Sequence, residues 1–176
     1  MKILKKILFV IGGIIVLLLI AALFVKKEFA ITKEIVIDKP VSEVFNYVKH
    51  IKNQDNYSVW NQADPNMKKS YSGTDGTPGF VYAWEGNKDV GKGEQEIKGI
   101  EENKRVDLEL RFKEPMEVNN QSAIITTPVD ASKTKVEWGL YGVSPYPFNL
   151  MNLCMNAMVG GDLQKNLDNL KAVMEK

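Results

Sequence analysis

The chain of 176 residues has one cysteine, Cys154, and one histidine, His50. A disulfide scaffold needs at least one pair of cysteines, so that class is excluded. A structural cluster of Cys and His around a metal is disfavoured on the same ground. Acidic residues are absent from the first 27 positions, and Ile7–Val25 is a run of 19 residues without any charge. Positive excess is missing from the rest: residues 26–176 hold 20 Lys/Arg against 22 Asp/Glu, a net charge of −2. A basic nucleic-acid-binding surface is not expected from such a domain. Glycine-rich Gly73–Gly79 and Gly91-Lys92-Gly93 lack the strand–GxxxxGK[ST]–helix setting of a phosphate loop and read as hairpin turns.

What is present falls into two parts. Residues 1–25 include 20 apolar residues. About 20 such residues in a helix cross the hydrocarbon core of a bilayer. Residues 1–27 are therefore read as a membrane anchor, with a transmembrane helix over about 7–25. Lys2, Lys5, Lys6 and the amino terminus precede the run, against Lys26 and Lys27 after it. That excess predicts a cytoplasmic amino terminus, a single pass of the cytoplasmic membrane and an extracytoplasmic domain. Two alternatives stay open, a buried soluble helix and a cleaved signal peptide. A signal peptide would have a shorter apolar core and a better cleavage site than Ala21-Ala22-Leu23-Phe24.

Residues 28–176 form one domain, long enough to bury a core. Phe29, Ile31, Lys33, Ile35 and Ile37 share one face of a strand. Val41, Val44, Phe45 and Val48 have helical spacing after Pro40, with Asp38 as a possible cap. A second short helix is predicted over Asn53–Trp60, ending before Asp64-Pro65. Six strands separated by turn residues follow. The cleanest sets Val106, Leu108, Leu110 and Phe112 against Asp107, Glu109 and Arg111, implying a sheet with one covered and one wet face. From Pro147 no further proline interrupts the chain. A terminal helix is predicted there, roughly 45 Å long if continuous at 1.5 Å per residue. Gly160-Gly161 is expected to bend or loosen it, with Asp162 capping a restarted helix.

This order of elements, with Ile35-Val36-Ile37-Asp38-Lys39-Pro40 before Val44-Phe45, Asn53–Trp60, Gly91–Ile97 and the Leu163–Val173 stripe, resembles the START-like (SRPBCC) superfamily. That is the polyketide cyclase/dehydrase and lipid-transport group, and within it the chain looks like membrane-anchored bacterial members. The resemblance implies an α+β helix-grip fold. About seven curved antiparallel strands wrap a long C-terminal helix, with two short helices after the first strand. It also implies a cavity between sheet and helix that accepts a hydrophobic small molecule or lipid.

The candidate lining is Tyr57, Trp60, Tyr82, Trp84, Gln95, Trp138, Phe148, Met151, Met155 and Met158, with Tyr146 beside them. Aromatic rings and adaptable methionines suit an apolar pocket, but the same residues also suit a plain packed core. Gln95 shares the phase of Gly93 and Ile97. It is either an amide that orients a ligand or, if the strand is reversed, a solvated side chain. Cys154, within an apolar helix, is expected to be buried and inert. His50 has basic neighbours and no recognisable nucleophile or orienting carboxylate, which suggests a solvated helix end. No catalytic residue, metal or cofactor is assigned. The reading is a membrane-tethered binding protein for a hydrophobic small molecule or lipid. A cyclase- or hydrolase-like enzyme using the same cavity is the alternative, as is a co-chaperone-like module using the outer sheet face.

Overall fold

The computed structural model describes residues 2–176. Helix α1 (Lys2–Ala22) is followed by β1 (Glu28–Ile37), α2 (Val41–Val48), a 3-10 turn (Ile51–Asn56) and α3 (Val59–Gln62). Strands β2 (Lys68–Ser72), β3 (Val81–Glu85), β4 (Lys92–Glu101), β5 (Arg105–Glu114), β6 (Val118–Pro128) and β7 (Thr134–Val143) come next. A second 3-10 turn (Phe148–Met151) leads into α4 (Asn152–Met174).

The strands form one sheet in the order β1-β7-β6-β5-β4-β3-β2. Every neighbouring pair is antiparallel. β1 enters at one edge and pairs with β7 from Glu28↔Val143 to Ile37↔Thr134. β4 shifts register after Lys92 and again between Ile97 and Gly99. Such bulges increase local twist and help a broad sheet curl. The inner face carries Ile97, Val106, Leu108, Ile124, Val136 and Trp138, all buried. Against it lie Leu163, Leu167, Leu170 and Met174 of α4 and Val44, Phe45 and Val48 of α2. The helix-grip α+β architecture expected from the sequence is therefore the observed one.

The outer face is charged. Arg111 donates from Nε to Glu94 (2.7 Å) and from Nη1 to Glu96 (2.7 Å), and pairs with Glu109. Lys98 and Lys113 add bonds of 3.0 and 3.1 Å to Glu96 and Glu94. This lattice covers the outer face around β4 and β5 with paired charge.

Several local expectations are corrected. Asp38 does not cap α2, whose N-cap is Pro40 without a side-chain bond. The second short helix is two elements, because Ser58 accepts from the Asn61 amide (3.4 Å) and starts α3 afresh. Pro147 precedes a 3-10 turn rather than α4. The helix runs unbroken through Gly160-Gly161, so Asp162 caps nothing. Gly160 is buried, and a Cβ there would meet Asn156 Oδ1 of the same helix at 2.6 Å and Lys33 Cε of β1 at 3.0 Å. Cys154 is exposed.

The Arg111 lattice makes a pH prediction. The hydrogen bond from Arg111, then those from Lys113 and Lys98, hold the Glu94 and Glu96 carboxyls below the usual glutamate range. Depressed carboxyl values contribute stability above the unfolded glutamate pKa of about 4.3, lost as pH falls through the lower folded values. Arg111→Met should therefore flatten the acid limb of urea-unfolding stability below about pH 5. Equal acid slopes for the two proteins would contradict the assignment.

Candidate functional site

Toward its C-terminal end α4 packs directly on the sheet, but its first half stands off. Between that half, the inner sheet face and α3 lies a cavity of about 460 Å³. Its wall is formed by Tyr82, Trp84, Leu110, Phe112, Trp138 and Leu140 from the strands, and by Met155, Val159 and Leu163 from α4. Trp60 and Met67 cover one side. The residues of the turn at 88–91, with Glu114 and Pro115, make the rim.

The aromatic wall is internally ordered. Tyr82 stacks on Tyr71 (centroids 5.5 Å apart) and tilts against Trp84 (5.8 Å), which meets Phe112 edge-on at 5.7 Å. Trp84 lies flat over Gly93, its partner across the β3–β4 pair, where a Cβ would sit 2.6 Å from the ring. Trp60 and Tyr57 both meet Trp138 edge-on, at 6.2 and 6.0 Å. Trp138 Nε1 donates to Ser122 Oγ (3.0 Å), and Ser122 Oγ donates to the Gly139 carbonyl (2.8 Å).

Four polar groups in the cavity wall are different. Gln54 Nε2, the Tyr82 hydroxyl, Gln95 Nε2 and Asn120 Oδ1 are buried with no hydrogen-bond partner among the described residues. Buried polar atoms without partners are uncommon in folded proteins and each is costly. Tyr82 and Gln95 face one another across the β3–β4 pair. Burial, reinforced by the charge of Asp55, pushes the Tyr82 phenol far above its ordinary value, so it stays a neutral donor and acceptor. The ionisable lining groups besides Tyr82 are Lys88, Asp89 and Glu114, all exposed at the rim. The deep wall is thus apolar with a neutral polar corner.

Trp60, Tyr82, Trp84, Gln95, Trp138 and Met155 come together in this lining. Gln95 lies on the covered face, 7% exposed, so the reversed-strand alternative is excluded. Tyr57 is fully buried behind Trp138, outside the lining. Phe148, Met151 and Met158 lie outside it too, on the exterior at 55%, 44% and 57% exposure. Sequence reasoning missed Gln54 and Asn120. Asn120 was within reach, since Asn120, Ser122 and Ile124 keep one phase on β6 and Ile124 faces the core. His50 sits 3.7 Å from Asp75, which accepts from the Ile51 amide, and belongs to a loop anchor away from the cavity.

A family described as polyketide cyclase / dehydrase and lipid transport matches residues 28–175. The chain belongs to this family. Among solved structures, norcoclaurine synthase from Thalictrum flavum superposes with a TM-score of 0.66 at 11% identity, over 85% of this chain and 87% of that one. The same enzyme in complex with dopamine and hydroxybenzaldehyde gives 0.63 at 10% identity, over 83% and 86%. The protein XoxI from Bacillus cereus gives 0.61 at 13%, over 84% and 96%. At such identities the likeness is one of fold. No curated protein matches the chain.

The Trp138–Ser122 bond yields a stability prediction. Trp138→Phe should cost about 1–3 kcal/mol in chemical denaturation, since a buried hydroxyl loses its donor. Adding Ser122→Ala should cost less than the sum of the two single changes. Additive losses would show that the bond carries no coupling.

Proposed function

We propose that this protein is a membrane-tethered binding protein that holds a hydrophobic small molecule or lipid between its sheet and α4. The observation that carries the reading is the half-enclosed apolar cavity with the Gln54, Tyr82, Gln95 and Asn120 atoms unpartnered in its wall. An apolar body excludes water from such a wall, and one oxygen-bearing group would answer the amide and phenol donors. The absence of charge in the deep wall favours a neutral group, a carbonyl or hydroxyl, over a carboxylate. The ligand-binding set is Trp60, Tyr82, Trp84, Gln95, Trp138 and Met155, joined by Gln54 and Asn120.

The tether is α1. Ile3–Ala22 is long and apolar enough to cross a membrane, with a mean hydropathy of 2.7. The lysine excess before it supports a cytoplasmic amino terminus and a domain on the outer side. Tethering would keep the domain at high local concentration beside a lipid source.

Binding is favoured over turnover by the state of the interior. General acid–base catalysis needs a group that titrates near working pH. Tyr82 is held neutral by burial, and the carboxylates of the lining lie at the rim.

Full-length protein in detergent should take up the neutral apolar fluorophore N-phenylnaphthylamine. Val159→Trp, which fills the cavity from α4, should abolish uptake with the fold retained by circular dichroism. Gln95→Leu should keep hydrocarbon-like probes and weaken a long-chain ketone by about tenfold or more, the loss of one buried hydrogen bond. Unchanged uptake by Val159→Trp would overturn the reading.

A further inference from the structure

The chain has a second long uncharged run, and the fold brings it to the first. Trp138–Gly161 contains no charged residue over 24 positions. Part of that run is core, but its middle is on the outside. Tyr146, Phe148, Met151 and Leu153 are 43%, 55%, 44% and 71% exposed, beside Leu23 and Phe24 at 68% and 84%. Apolar groups this exposed and contiguous mark a surface that is covered in use.

Hydrogen bonds fix the height of this surface against α1. The Tyr146 hydroxyl donates to the Leu19 carbonyl (3.3 Å). Asn149 Nδ2 donates to the carbonyls of Ala22 and Val25, both at 2.7 Å. Asn152 Nδ2 donates to those of Lys26 and Lys27, at 3.0 and 2.9 Å. Tyr146 therefore lies level with the last turn of the apolar segment Ile3–Ala22, and Asn152 level with the lysines that follow it. An interfacial tyrosine above an apolar span, with lysines at the headgroups, is the usual arrangement at a membrane boundary.

The sheet end is the same one. Glu28↔Val143, Phe112↔Val118, Lys92↔Glu114 and Lys68↔Glu85 all lie at the edge of the sheet where α1 joins. The turns at 86–91 and 115–117, which include the cavity rim, project from that edge.

We propose that Tyr146–Cys154, the turn before α4 and its first residues, seats in the interfacial layer of the bilayer on the domain's side, turning the cavity rim toward lipid. The proposal rests on the tethered reading above, since α1 sets the plane. Depth decreases along the segment, from Phe148 through Cys154 to the charged part of α4 that begins at Asp162. Lys165 is exposed and lies three turns beyond Cys154 on the same side of the helix, in water.

The test uses full-length protein in vesicles of phosphatidylethanolamine and phosphatidylglycerol. A nitroxide is placed on native Cys154, or on Phe148→Cys or Lys165→Cys in a Cys154→Ser background. Expected is an order of oxygen over nickel-chelate accessibility of 148, then 154, then 165, with the last equal to an aqueous control. Phe148→Asp with Met151→Asp should shift the label on Cys154 toward water while the protein stays carbonate-resistant. Carbonate-resistant protein whose label at 148 is as aqueous as at 165 overturns the seating and leaves the tether standing. A label at 148 shielded from both reagents means that protein covers this face, and also overturns it. Extraction of the whole chain by carbonate overturns the tethered reading and the seating together.

Discussion

Seven strands side by side span about 30 Å, while one helix with its side chains covers about 10–12 Å. That mismatch governs this molecule. A sheet with one apolar face must be covered, and α4 cannot cover all of it. Curvature narrows the gap, helped by the two register shifts in β4. The short α2, its following 3-10 turn and α3 close another part, with Phe45, Val48 and Ile51 fully buried. The remainder is the cavity, lined by aromatic rings that would otherwise have met a second helix.

α4 divides its labour along its length for the same reason. From Leu163 onward its stripe is packed to exclusion, with Leu163, Leu167 and Leu170 at 1% exposure or less. Before Leu163 it turns Met155 and Val159 to the cavity and Cys154 and Met158 to the outside. One half is a structural clamp and the other lines the cavity through Met155 and Val159, a contrast that places the open space at one end without weakening the core. Asn166 adds a tie on the clamp half, accepting from the Val59 amide at 2.7 Å, so α3 is fixed by the rigid part of the helix.

The strands were legible because alternation is a strong signal when one face is wet. β5 reads from Val106 to Phe112 without ambiguity, and the charges opposite it turned out to be the Arg111 lattice. The inner position of Gln95 was legible only as a choice between two phases, which the β3–β4 register decides. The helical end was harder. Phe148, Met151 and Met158 suit a lining by residue type, but residue type alone does not tell a cavity wall from an exposed face, and all three are exposed. Cys154 was placed in the interior for the same reason. Gln54 carried no periodic signal at all, since it sits in a 3-10 turn where neither a helical nor a strand period applies. Asn149 and Asn152 were illegible in principle: their partners lie more than 120 positions away in the chain.

Those two asparagines determine the mechanics of the whole chain. Only residues 23–27 separate α1 from β1, and the carbonyls of Val25, Lys26 and Lys27 are all held by side chains of the domain. A connector so occupied has no slack. These bonds hold the domain against the end of α1 in one orientation. On the tethered reading, anything held in the cavity would be taken up and released within reach of that one fixed position.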